Sequence, residues 1–482
     1  MHIPFDNTYS RLPDRFYARL GPAAVAAPRL IRLNAALAGQ LGIDPVELAS
    51  PDGVAVLAGA SVPAGADPMA LAYAGHQFGN FVPRLGDGRA KLLGEVVGID
   101  GMRRDIQLKG SGPTPFSRQG DGRAALGPVL REYLISEAMA ALGVPSTRAL
   151  AAVATGEPVW RETKLPGAIL VRVAASHIRV GTFQYFAARE DTDGIRLLAD
   201  YAIARHYPDA ASAPNPYRAF LDAVIARQAD LIAQWLLVGF VHGVMNTDNC
   251  SIAGETIDYG PCAFLDSYDP GAVFSSIDHQ GRYAYANQPR AVLWNLARLA
   301  ECLVPLLGED DDSANAALGT FAPRFQTRYF GGLRQKIGLQ TEREGDGSLT
   351  QDLLKLMATD NTDFTLTFRR LCDACDGRVG DAAVRVLFKD FAAYDAWASR
   401  WRERLAFEAE PAVAMRTVNP AVIPRNHLVE AAINAAVDRD DFQPFEDLLG
   451  AAGQPFRDDP ATERYTLPPR DDQRVLQTFC GT

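Results

Sequence analysis

The residues best suited to chemistry fall in one window, His242-Gly243-Val244-Met245-Asn246-Thr247-Asp248-Asn249, followed after eight residues by Asp258-Tyr259-Gly260. Asn249 and Asp258 carry hard oxygen donors of the kind that hold Mg²⁺ or Mn²⁺ against nucleotide phosphates. Asp248, beside Asn249, can take a proton from a hydroxyl. Upstream, Lys109 ends the strand-like run Asp105-Ile106-Gln107-Leu108, and Arg172 sits inside another, Ile169-Leu170-Val171-Arg172-Val173. A guanidinium in such a strand needs a partner or an open pocket, because an unpaired buried charge is costly. Planar donors like those of Arg172 and Arg179 suit phosphate oxygens. Leu85-Gly86-Asp87-Gly88-Arg89 and Asp121-Gly122-Arg123 are glycine-bearing turns whose backbone N–H groups can approach phosphates closely. A lysine in the role of Lys109 needs a carboxylate on the following helix. Glu132 and Glu137 are candidates, and being five residues apart they point about 140° from each other, so one of them serves.

These residues require elements to hold them. Residues 1 to about 60 read as short helices and loops, with Leu33–Leu41 one helical piece, and Tyr73–Ala90 reads as loop. Lys91–Gly98 and Arg103–Lys109 read as two strands joined by a turn at Gly98–Gly101. Gly110–Gly127 is loop. Pro128–Leu142 is a helix, with Pro near its start and Gly143 after its end. Strands follow over Thr147–Ala154 and Ala168–Ala174. The clearest helical periodicity covers Pro216–Val241, from Phe220, Leu221, Val224 and Ile225 to Trp235 and Leu236. The window itself is then a loop, followed by a short strand into Asp258. Beyond Pro289 the chain turns helical, over Ala291–Leu307, Leu349–Ala358, Ala382–Arg404 and His427–Ala436. Glu309–Asp312 reads as a solvated loop, and the segment from Arg457 as an extended tail.

Composition narrows the classes. The chain has 482 residues, 48% hydrophobic and 22% charged, enough for a large core. Its net charge of −10 argues against nucleic acid or an anionic membrane as partner. No run approaches 18 uncharged apolar residues, so no membrane span is expected. The first residues show neither a secretory nor a transit pattern. Six cysteines do not make a disulfide scaffold. A cytoplasmic monomer is the expectation. Cys372-x-x-Cys375 has no suitably spaced second ligand pair for zinc and reads as core thiols. Cys262, two residues past the Asp258 triplet, and Cys480, near the end of the tail, are the redox candidates.

The window resembles a protein-kinase catalytic loop and metal triplet, H-R-D-L-x-x-x-N then D-F-G. Val244 stands where such a loop keeps its catalytic Asp, and the gap before Asp258 is shorter than is usual there. Strands with one helix, then a mostly helical half, follow the order of a kinase fold. The expected class is α+β, a two-lobed protein-kinase-like (pseudokinase) fold with N-terminal and helical C-terminal extensions. Its boundaries are expected at 1–62 (extension), 63–185 (N-lobe), 186–400 (C-lobe) and 401–482 (helical extension and tail). His242 is expected to be structural.

Across most of its length the chain resembles the selenoprotein O family of pseudokinases, protein adenylyltransferases. The resemblance is carried by Tyr73-Ala74-Gly75-His76-Gln77-Phe78-Gly79, Arg84 to Ala90, Gln107 to Pro115, Gly120 to Ala124, Arg131-Glu132-Tyr133, Val171 to Ala174, Asn246 to Gly260, and Arg425 to Glu430. It implies ATP bound in a flipped orientation, so that AMP passes to a Ser, Thr or Tyr hydroxyl of a protein and pyrophosphate leaves. It further implies that Lys109 pairs with Glu132 and contacts phosphates. Gly86, Gly88, Arg89, Asp121 and Gly122 would hold the nucleotide. Arg172 and Arg179 would neutralise its phosphates. Asn249 and Asp258 would hold Mg²⁺ or Mn²⁺, with Asp248 as base. The family's selenocysteine position is matched by Cys480, an ordinary cysteine. Three rivals remain: an ordinary kinase, against which Val244 speaks, a non-catalytic nucleotide-binding scaffold, and UTP in place of ATP as donor.

Overall fold

The computed structural model describes residues 2–308, 311–375 and 378–479. Its first half is built on one antiparallel sheet. The strands are β1 (Tyr17–Arg19), β2 (Arg29–Leu33), β3 (Met69–Leu71), β6 (Ala90–Val97), β7 (Arg103–Lys109), β8 (Ala124–Ala125), β9 (Arg148–Trp160) and β10 (Lys164–Ala174). Two more, β4 (Gly75–Gln77) and β5 (Asn80–Val82), form a separate hairpin. The sheet order is β1-β3-β6-β7-β10-β9-β2, with β8 on β10.

Alternation along β7 and β10 decides what each face does. Ile106 and Leu108, with Ile169, Val171 and Val173, point into a core shared with Leu37, Leu41, Leu48, Val56 and Leu57. Those last come from helices α1 (Ala35–Gln40), α2 (Pro45–Ala49) and α3 (Pro51–Leu57). By the period of two, Asp105, Gln107, Lys109 and Arg172 must then emerge on the opposite face. That face is covered by α4 (Leu126–Ala141), whose Leu126, Leu130, Tyr133 and Leu134 join the largest core.

The same core takes in α5 (Val180–Ala187), α6 (Thr192–His206), α7 (Pro216–Leu237) and α8 (Gln288–Leu307). After these come α9 (Asp311–Gly319), α10 (Phe321–Lys336), α11 (Asp346–Asp360), α12 (Phe364–Ala374), α13 (Arg378–Arg385), α14 (Phe391–Leu405) and α15 (Pro411–Val418). A separate core of Phe364, Phe368, Trp397, Trp401 and their neighbours holds most of this group together. Helices α16 (Asn426–Arg439) and α17 (Gln443–Ala452) return to the first core through Val429 and Phe445.

Several expectations need correction. Residues 1–60 supply β1 and β2 as well as helices. Tyr73–Ala90 is not simply loop, because it contains the β4–β5 hairpin. The turn residues Phe78 and Gly79 both have positive φ, 51° and 87°. Such two-residue turns are usually announced by Asn-Gly, and Phe-Gly hides the signal. Helix α7 stops at Leu237 rather than Val241. Gly239, at φ 74°, turns the chain into β11 (Phe240–Val241), which pairs with β12 (Ala263–Phe264). Among the described residues no strand leads into Asp258; two isolated bridges, Arg179 to Ser251 and Ser146 to Thr256, precede it. The helix expected over Ala382–Arg404 is two helices, because Asp390 caps a new one by accepting from Ala393 N at 3.0 Å. Of the Glu309–Asp312 run, Glu309 and Asp310 lie outside the described residues, while Asp311 opens α9 rather than continuing a loop. The tail is pinned near its end: Thr478 donates its N–H to Phe274 O at 2.7 Å and its hydroxyl to Pro261 O at 2.6 Å.

Candidate active site

A cavity of about 750 Å³ opens beside the sheet, α5 and the 244–261 segment. Seven arginine and lysine side chains line it against four aspartates, so its potential is positive in a chain of net charge −10. Gly86, Gly88, Arg89, Lys109, Asp121, Gly122, Arg172, Arg179, Asp248, Asn249 and Asp258 all line it, drawn from sequence positions up to 172 residues apart. A volume of this size accommodates a nucleotide.

Asp258 is the centre of the charged cluster. Its Oδ1 accepts from Arg172 Nη1 at 2.6 Å and Lys109 Nζ at 3.4 Å, and its Oδ2 from Arg179 Nη1 at 3.0 Å. Burial alone would raise its pKa, but Arg172, Arg179 and Lys109 hold it well below the usual carboxylate range. Asp258 itself sits at φ 57°, a left-handed conformation that aims its carboxylate back at the sheet. Lys109 makes a short ion pair with Glu132, which also accepts from Arg172 Nη1 at 3.1 Å. Glu137, the other candidate, faces away and holds Arg148 Nη2 at 2.7 Å and Asn34 Nδ2 at 2.8 Å. Arg179 lies over the Tyr73 ring at 4.5 Å, and its Nη2 is buried without a partner among the described residues. That nitrogen is a ready donor for a phosphate oxygen.

Asp248 presents the opposite case. It sits in a tight turn, Thr247–Asn249, with its carbonyl accepting from Arg179 Nη1 at 2.7 Å. Its Oδ2 receives one long hydrogen bond from Gln77 Nε2, 3.3 Å, and its buried Oδ1 has no partner among the described residues. Burial pushes its pKa up to about 6, with Gln77 and Arg179 opposing. A buried, under-bonded carboxylate near neutrality is suited to accept a proton.

The β4–β5 hairpin holds this loop in place. His76 N donates to Thr247 Oγ1 at 2.6 Å and Phe78 N to Asn246 Oδ1 at 3.0 Å. A Cβ on Gly75 would stand 2.5 Å from Asp248 Oδ1, so only glycine allows the approach. His242 is structural, as expected: its Nδ1 accepts from Val244 N at 3.3 Å and its Nε2 donates to Ile257 O at 2.8 Å, which fixes the neutral tautomer.

Asn249 donates Nδ2 to Val244 O at 2.9 Å, which leaves its amide oxygen for a ligand in the cavity that Asp258 also lines. Among the described residues no three His, Cys, Asp or Glu side chains gather at one point. Two protein oxygens nevertheless fit Mg²⁺ or Mn²⁺, which take their remaining ligands from phosphates and water. The Asp121 carboxylate is engaged by Arg161, at 2.9 and 3.2 Å, and caps Arg123 N at 2.9 Å, so it braces its turn. Gly122, at φ 65°, lets that turn close on Gly112, whose N–H donates to Gly122 O at 3.0 Å. Cys262 is fully buried behind Gly260 and does not line the cavity. Cys480 lies outside the described residues. Sequence reasoning did not single out Tyr73, Gln77, Asp87 or Gln107 as site residues. For Gln107 a signal was present, a polar residue inside an apolar strand two places before Lys109.

With this geometry in place, the comparisons with known proteins identify the family. The profile described as protein adenylyltransferase SelO matches residues 1–452. The chain belongs to the protein adenylyltransferase SelO family. It is 64% identical over its whole length, and the relative's, to a protein nucleotidyltransferase YdiU of Bradyrhizobium sp. strain BTAi1. A protein of the same name from Rhodopseudomonas palustris strain BisB5 is also 64% identical over both full lengths. Another from Methylorubrum extorquens strain PA1 is 66% identical, covering all of this chain and 99% of the relative. The SelO family member described here is therefore an enzyme of the nucleotidyltransferase class. Nucleotidyl transfer uses a nucleotide donor and, in general, a divalent metal. No helix among the described residues is long and apolar enough to cross a membrane.

Proposed function

We propose that this protein transfers AMP from ATP to Ser, Thr or Tyr hydroxyls of proteins, releasing pyrophosphate. The observation that carries this is the division of labour in the cavity. Three cations converge on the Asp258 carboxylate, while the under-bonded Asp248 carboxylate lines the same cavity free of any ion pair among the described residues, with Val244 at the position of the usual kinase base. Lys109 on a strand, Glu132 on the next helix and Asp258 after a loop follow the kinase order. This supports a kinase-like fold, with an N-lobe over 63–185 and a C-lobe over 186–400.

In this reading the phosphates lie against Lys109, Arg172 and the free Nη2 of Arg179, with Gly86, Gly88 and Arg89 along the donor. Mg²⁺ or Mn²⁺ held by Asn249 and Asp258 would supply charge neutralisation on the phosphates. Asp248 takes the proton of the acceptor hydroxyl, the oxygen forms a bond to the α-phosphorus, and the bond to the β-phosphate oxygen breaks. The fixed cations stabilise the negative charge that builds on the leaving pyrophosphate. Redox-linked control through Cys262 and Cys480 belongs to the same proposal, and non-reducing peptide mapping of oxidised protein should recover their crosslinked peptides. We further propose that the enzyme works as a cytoplasmic monomer.

The test uses ATP labelled on the α- or the γ-phosphate, with Mg²⁺ or Mn²⁺ and a protein acceptor. The α-label should enter protein and the γ-label should leave as pyrophosphate. Label entering only from the γ-position overturns transfer in favour of a kinase, and entry from neither leaves a nucleotide-binding scaffold. UTP run in parallel decides the donor, since a faster reaction with UTP replaces AMP by UMP.

A further inference from the structure

Gln107 lies in the middle of β7, directly across from Arg172 in the β7–β10 register, and is completely buried. Its Oε1 accepts from Arg172 Nε at 3.1 Å and also from Nη2. Its Nε2 donates to Asp87 Oδ2 at 3.1 Å. The same Asp87 oxygen accepts from Leu71 N at 3.1 Å, and Asp87 N donates to Leu71 O at 2.9 Å. Asp87 is thus clamped at the centre of the Gly86-Asp87-Gly88 turn, and Gln107 is the piece that ties this turn to Arg172.

We infer that Gln107 is a positioning residue: it fixes the Arg172 guanidinium for the donor phosphates and locks the glycine turn to the same register. The inference rests on the nucleotide-transfer reading above. Its chemistry is specific to an amide. One end must accept from a cation and the other must donate to a carboxylate, and among side chains of this length only glutamine does both without charge. The Nε–Nη2 edge of Arg172 belongs to Gln107, while Nη1 is left to meet Glu132 at 3.1 Å and Asp258 at 2.6 Å. Freed from Gln107, the guanidinium could rotate about its terminal bonds and lose this aim. A glutamate at 107 would hold Arg172 too firmly as an ion pair and repel Asp87.

The test measures the affinity of a non-hydrolysable ATP analogue by titration calorimetry with Mn²⁺ present, in a double-mutant cycle of Gln107→Glu and Arg172→Gln. Wild-type protein is measured first, and its failure to bind overturns the nucleotide reading itself and this inference with it. If the wild type binds, Gln107→Glu should weaken the analogue about tenfold or more, the scale of one charge-assisted contact. In the Arg172→Gln background the same change should cost at least about threefold less affinity, because only the route through Asp87 remains. A merely structural amide predicts an equal loss in both backgrounds, or none. Affinity of Gln107→Glu within about twofold of wild type, or an equal loss in both backgrounds, overturns the inference. Thermal melting verifies that each variant is folded, and Gln107→Met, which removes all three side-chain hydrogen bonds without adding charge, replaces Gln107→Glu if the latter does not fold. The same two outcomes then apply.

Discussion

Charge is buried in two places in this protein, and it is handled in opposite ways. At the cavity, Lys109, Arg172 and Arg179 converge on Asp258 and Glu132 in a network where nearly every charged atom has a partner. In the helical half, Lys336 ends α10 only 3% exposed, with no carboxylate in ion-pair range among the described residues. Its ammonium instead lies 4.4 Å from the centre of the Phe368 ring and 5.5 Å from that of Phe364. A satisfied network can hold groups in one geometry at low dielectric, which is what charge stabilisation of a reaction needs. A single cation among aromatic rings gains about 0.5–2 kcal/mol from them and stays short of its hydration. Removing a charge should therefore cost activity in the first region and gain stability in the second.

The largest effect should come from Asp258→Ala. It removes the hub of three cations and half of the proposed metal site, and nucleotide transfer should fall by at least about 10³-fold. Transfer at an unchanged rate, followed as AMP mass added to protein, would sink the assignment. Asp248→Asn should slow transfer by about 10²-fold, the lower range for general-base assistance, while the ATP analogue still binds. Loss of binding in that variant would instead make Asp248 part of the nucleotide site. Glu132→Gln leaves Lys109 and Arg172 under-paired and should cost about tenfold in rate. Among the described residues Glu137 is hydrogen-bonded to Arg148, Ala149 N and Asn34 alone, so Glu137→Gln should leave the rate unchanged. Equal effects of the two would erase the distinction that the structure draws between them.

That distinction also marks how far the sequence could be read. Lys109, Arg172, Asp248, Asn249 and Asp258 were legible because their residue types and local spacing describe a chemistry before any fold is known. Helices with strong periodicity, α4 and α7, were legible for the same local reason, though a glycine ended α7 four residues early. The choice between Glu132 and Glu137 could not be made from spacing, which says only that one of them serves. It needed the position of α4 against β7 and β10. The hairpin β4–β5 was hidden by its Phe-Gly turn and by strands of three residues each, too short to show alternation. With it went the roles of Gln77 and Gly75, which the stretch Tyr73–Gly79 marked only as part of a resemblance and which rest on contact with Asp248 across about 170 residues of sequence. The partnership of Gln107 with Asp87 is likewise a product of strand register, which no local pattern states.

The smallest predicted effect is on stability and concerns Lys336 alone. Burial draws its pKa down from 10.5 to about 7, with only the neighbouring Cys372 opposing. Between those values the unfolded chain binds the proton more readily than the folded one. Stability should therefore rise with pH from about 7 to 10.5, and the adverse contribution is complete below about 7. Lys91, drawn down to about 8 by burial and held by the carbonyls of Ser111 and Gly112 at 2.8 and 3.0 Å, acts in the same direction over a narrower range. Lys336→Met keeps the aliphatic packing against Phe368 and removes the charge. It should stabilise the protein at pH 7 by about 1–3 kcal/mol, flatten but not abolish the slope in that pH range, and leave nucleotide transfer unchanged. Chemical denaturation at pH 7 and pH 9 measures all but the last. If Lys336→Met destabilises equally at both pH values, the ammonium has a partner worth more than the Phe rings, and the contrast between the two buried charges fails.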